Sequence, residues 1–128
     1  MRPTITGIML ANAALFVFGA VQHAGIAIGP FYEPSIRPAS MVETLCALAL
    51  MGGAVAAWMG TRRAWTLAIA GNLVAIGGVA LGMVALAVGA GPRTASNDWY
   101  HRFMLALAFA ALLLLLLPAG RWSLRRAR

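Results

Sequence analysis

The chain has no lysine, a single cysteine at Cys46, two histidines and three acidic residues, Glu33, Glu43 and Asp98. One cysteine forbids an internal disulfide and a multi-cysteine metal site. Charged residues make up 10% of the sequence, where soluble domains carry roughly 25%. No P-loop, no H-E-x-x-H and no nucleophile triad is written in it, so nothing indicates catalysis by this chain alone. What fills the 128 residues instead is apolar: 62% are hydrophobic, the composition of one small membrane domain.

About 20 apolar residues cross a hydrocarbon core of roughly 30 Å, and four stretches qualify: 7–29, 41–60, 64–89 and 99–117. The connectors GPFYEPSIRPAS and GPRTASND are rich in Pro, Gly and Ser, and TRR is barely a turn. The expected fold is an all-α integral membrane four-helix transmembrane bundle in a single domain. The first stretch has the Arg and apolar run of a signal peptide. Its length and the lack of an A-x-A site favour a span.

All ten basic residues are Arg and the net charge is +7, a balance that nucleic acid, anionic lipid or membrane topology each produce. Position decides between them. One side of the spans carries Arg2, Arg62, Arg63, Arg121, Arg125, Arg126 and Arg128 with no acid; the other carries Arg37, Arg93 and Arg102 against Glu33, Glu43 and Asp98. Cytoplasmic loops retain positive charge, so both termini are expected inside, in a multi-pass protein of the bacterial cytoplasmic (inner) membrane. The lipid bilayer explains the charge and no nucleic-acid partner is needed.

Association of helices in lipid rests on close packing of small residues. Ala68, Gly71, Ala75, Gly78, Gly82, Ala85 and Gly89 form such a seam on the third span, either an internal contact or a homodimer face. The second span offers Glu43, Cys46, Leu50, Gly53, Ala57 and Gly60 at the same spacing, whereas the leucines at 112–117 face lipid. Asn12 and Asn72, about 8 and 12 Å from the cytoplasmic helix starts, are expected to hydrogen-bond across the bundle.

Ionisable side chains within a membrane ask for a reason. His23 shares a face with Asn12, Phe16 and Gly19, about 9 Å below the outer end of its span, with Gln22 beside it. Ser40-Met-Val-Glu43 reads as a capping box, or Glu43 points into the bundle with Cys46 one turn deeper. Asn97 or Ser96 is a plausible N-cap, Asp98 and Arg102 an i, i+4 ion pair, and Trp99 and Tyr100 part of an interfacial aromatic belt. Asp98 is placed to orient His101. Gln22, His23, Glu43, Cys46, Asp98, Tyr100, His101 and Arg102 are thus the candidate ligand-binding residues, all in the outer third of the spans.

The Pro-containing loop after the first span, the stretch ASMVETLCALALMGG, the RR turn and the Ala-rich third span resemble the DoxX-like family of small four-helix bacterial membrane proteins. The resemblance matches an early helix-two glutamate to Glu43 and transfers no catalytic residue. It implies association with respiratory or quinone-linked oxidoreductase complexes. The leading expectation is therefore an accessory or binding subunit of such a complex, with quinone as ligand and membrane proteins as partners. A haem or metal protein using His23 and His101, and a small-solute transporter or channel built as an oligomer, are the alternatives.

Overall fold

The computed structural model describes residues 1–29, 34–91 and 94–125, so Glu33, Arg93, Arg126 and Arg128, which enter the charge asymmetry, lie outside the described residues. The rest is helical: α1 (Arg2–His23), α2 (Arg37–Met59), α3 (Ala64–Ala87), α4 (Ala95–Leu116) and α5 (Pro118–Arg125), with no strand among the described residues. The first four have mean hydropathies of 1.9, 1.6, 2.1 and 1.7 and are long and apolar enough to cross a membrane. Their bounds differ from those read off the apolar runs, each for a local reason.

The first apolar run continues to Gly29, yet α1 stops at His23 because Gly25 takes a left-handed φ of +90°. There the Gly25 N–H meets the Gln22 carbonyl at 2.8 Å and the Ile26 N–H reaches the Val21 carbonyl at 3.2 Å, the paired bonds of a Schellman cap. His23 is accordingly the last residue of its helix, not a residue set below the helix end. At the other boundary α2 begins four residues earlier than expected, because Pro38 suits a first-turn position where no N–H is required. α3 closes on a second cap of the same kind around Gly89, at φ +78°. The small-residue seam therefore leaves the helix before Gly89.

α5 was not foreseen in the sequence. Leu117 is extended, with ψ 143°, as the residue before a proline prefers, and the chain restarts as an eight-residue helix. Gly120 lets α5 lie on the end of α4, since a Cβ there would collide with the Leu114 carbonyl oxygen. Leu124 is fully buried while Trp122 is exposed. The indole N–H of Trp65 donates to the Leu115 carbonyl at 3.0 Å, and the guanidinium groups of Arg121 and Arg125 stand 5.0 and 4.6 Å from its ring centroid.

The seam on α3 is filled from within the chain. A methyl built on Gly71 would lie 2.6 Å from the Ala49 carbonyl oxygen, one on Gly78 would strike Cys46 Sγ, and one on Gly82 would lie 2.6 Å from His101 Nε2. Glycine is present at these positions so that α2 and a ring of α4 can sit against the α3 backbone. On α2, Glu43, Cys46, Leu50, Gly53 and Ala57 are buried at the expected spacing. Leu81 and Val84 of α3 with Val88 just past it, and Leu113 and Leu116 of α4 with Leu117 just past it, stay exposed, although Leu115 between them is fully buried.

The two buried asparagines behave differently. Asn12 Nδ2 crosses from α1 to the Met104 carbonyl of α4 at 3.3 Å. Asn72 Nδ2 instead donates within its own helix, to Ala68 at 2.8 Å. A rotation that points the amide back along α3 satisfies its donor without a partner helix.

Candidate functional site

α1 ends, α2 and α4 begin, and α3 ends at one pole of the bundle, opposite the termini. Between them lies a cavity of about 270 Å³. Its wall is mostly apolar, with Phe16, Val42, Val79 and Leu86 among the lining residues, and five polar residues converge on it: His23, Glu43, Asn97, Tyr100 and His101. A mostly apolar space with a few fixed polar groups is the usual character of a small-molecule site.

Gly19 makes the polar group possible. A Cβ at that position would collide with Tyr100 Oη and Glu43 Oε1, so only a glycine lets α2 and α4 bring those side chains over α1. Ser40 fixes the approach by donating its hydroxyl to the Ala20 carbonyl at 2.8 Å. Because α2 starts at Arg37, Ser40 is already inside the helix and its own N–H is bonded to the Ile36 carbonyl. No capping box forms, and Glu43 is free to turn inward.

There His23 Nδ1 lies 2.7 Å from Glu43 Oε2, with both side chains less than a tenth exposed. A carboxylate and an imidazole at this distance share a proton in a short, charge-assisted bond. The other carboxylate oxygen, Oε1, is 3.4 Å from Tyr100 Oη. That hydroxyl makes its shorter bond, 2.7 Å, to the Leu15 carbonyl of α1. Tyr100 is therefore an interhelical tie rather than a member of the aromatic belt, a role left to Trp99, 70% exposed.

His101 stands edge-on to Tyr100, with ring centroids 5.6 Å apart. Its Nδ1 is 2.8 Å from the Asn97 carbonyl one turn back. A carbonyl only accepts, so Nδ1 carries the proton and Nε2 presents a lone pair in the neutral ring. Asn97, not Asp98, thus orients the imidazole. Asp98 and Arg102 line a smaller, separate recess with Met83, Leu86, Ala87 and His101, and the Arg102 guanidinium stands 5.9 Å from the Trp99 ring. The N-cap of α4 is Thr94, whose Oγ1 accepts from the Asn97 N–H at 3.1 Å.

Of the eight residues singled out in the sequence, His23, Glu43, Tyr100 and His101 meet at the cavity. Gln22 is buried beside it without lining it. Cys46 faces α3, with Sγ 3.6 Å from the Val74 carbonyl. A His, Glu and Cys metal set therefore does not assemble, and no group of three or more metal-ligating side chains occurs among the described residues. Asn97, Gly19 and Ser40 were missed as site residues. Gly19 had a signal, since it lies on the Asn12, Phe16 and His23 face. Comparison with protein-family models, with curated proteins and with solved structures found no match.

Proposed function

We propose that the chain is a binding subunit of a membrane oxidoreductase or quinone-linked complex in the bacterial cytoplasmic membrane. In this reading both termini are inside, the cavity opens in the outer half of the bilayer, and it takes a quinone headgroup. The observation that carries the proposal is the cavity itself: a space of about 270 Å³ with an acid–base pair, a tyrosine, an imidazole and an amide on an otherwise apolar wall. That volume is near the small end of ligand pockets and suits a single substituted ring. The apolar outer faces of α2 to α4 give its hydrocarbon tail a lipid-like path. The Arg asymmetry supports the orientation, and the DoxX-like resemblance around Glu43 supports the redox setting.

Such a headgroup contributes reversible two-electron, two-proton chemistry when bound. The chain's own residues position it: Gly78 and Gly82 line the space along α3, Glu43 and His101 present polar atoms, and the rest of the wall is mostly apolar. Purification in mild detergent tests the proposal. Extracted quinone and a co-purifying membrane partner are expected, and recovery of the chain alone without quinone contradicts it.

A further inference from the structure

Resting on that reading of the cavity, we infer that it recognises the dihydroxy, quinol form of its ligand over the diketone form. Two polar atoms left available to a ligand, His101 Nε2 and Glu43 Oε1, accept hydrogen bonds, whereas the Tyr100 hydroxyl and the His101 Nδ1–H are already engaged. The Tyr100 hydroxyl donates to the Leu15 carbonyl at 2.7 Å. The His101 Nδ1–H is spent on the Asn97 carbonyl at 2.8 Å, and Nδ1 of His23 is held by Glu43 at 2.7 Å.

What remains is of opposite character. His101 is 8% exposed and its Nε2 has no hydrogen-bond partner among the described residues. It stands over Gly82, where a Cβ would come within 2.6 Å. Glycine thus lets the ring edge sit against α3 where both residues line the cavity. Glu43 Oε1 is the second acceptor, since its 3.4 Å separation from Tyr100 Oη is long for an O–H···O bond. The Asn97 amide both donates and accepts, so it does not discriminate.

A quinol O–H satisfies such an acceptor, while a quinone carbonyl would face it lone pair to lone pair. A buried site built to hydrogen-bond a substrate hydroxyl rejects the analogue that lacks it. One net hydrogen bond corresponds to about tenfold in affinity.

The test is isothermal titration of the full chain in detergent, under argon, with decylubiquinol and separately with decylubiquinone. Quinol binding about tenfold tighter is expected. In Gly82→Ala, whose new methyl displaces the His101 ring, and in His101→Gln, which places an amphoteric amide there, the ratio should fall toward one. Helix content by circular dichroism accompanies each variant. If one variant does not fold, the other carries the comparison. Equal or tighter binding of the quinone overturns the inference and leaves the quinone-site reading standing. Binding of neither form overturns both, and a ratio unchanged in the folded variants removes His101 as its source.

Discussion

The bond between His23 and Glu43 joins α1 to α2 inside the apolar bundle, and a double-mutant cycle measures it directly. The perturbation is His23→Leu, Glu43→Leu and both together, so that each polar partner is replaced by an apolar side chain. Interhelical hydrogen bonds in bilayers average about 0.6 kcal/mol, but bonds to charged groups reach roughly 1.5–3 kcal/mol. At 2.7 Å, with both side chains under a tenth exposed, this pair belongs in the second class. Each single variant leaves one buried polar group unpaired, so each should lose about 2 kcal/mol. The double variant removes both groups at once and should lose little more than either. The expected coupling is thus about 2 kcal/mol, read from reversible unfolding in mixed micelles. Additive losses, with coupling below about 0.5 kcal/mol, would refute the account that this pair is formed and shielded in the folded protein.

Three further outcomes follow from the packing. Gly19→Ala pushes a methyl into Tyr100 and Glu43 and should destabilise by about 1–3 kcal/mol despite alanine's better helix propensity, whereas Gly7→Ala, with open space around it, should be neutral or slightly stabilising; thermal unfolding in detergent compares them. Trp65→Phe removes the bond to the Leu115 carbonyl and the better cation–π ring beneath Arg121 and Arg125, so α5 should loosen by about 1–2 kcal/mol, seen as faster tryptic cleavage at Arg121 and Arg125. Cys46, 1% exposed against α3, should resist maleimide labelling in mild detergent and react promptly once the bundle is unfolded in dodecyl sulfate.

The number of spans was legible because runs of about 20 apolar residues have few alternatives. Their ends were not, and the site depended on the ends. Apolar composition continues through Ile26 and Ile28, so nothing in hydropathy marked Gly25 as the residue that stops α1. Placing the start of α2 at Met41 made Ser40 look like a cap. With the helix beginning at Arg37, Ser40 became a tether to Ala20 and Glu43 turned inward. Likewise Asp98 and Asn97 both precede His101 at helical spacing, and only the backbone geometry shows that a main-chain carbonyl, not the carboxylate, accepts the hydrogen bond from the imidazole N–H. Tyr100 was sorted by depth, which sequence reveals, when its role depended on rotation about α4, which it does not. α5 stayed hidden because eight residues with two Arg carry no apolar run.

The central claim is that the cavity between His23, Glu43, Tyr100 and His101 holds a lipid-soluble ring. Photolabelling of the protein in liposomes with an azidoquinone, followed by peptide mapping, tests it most directly. Labels confined to the cavity-facing segments of α3 and α4, around Gly82 and Met104, and displaced by excess unlabelled quinone, are the predicted result. Labels spread over lipid-facing positions such as Leu73 and Leu113 and indifferent to competitor would contradict it.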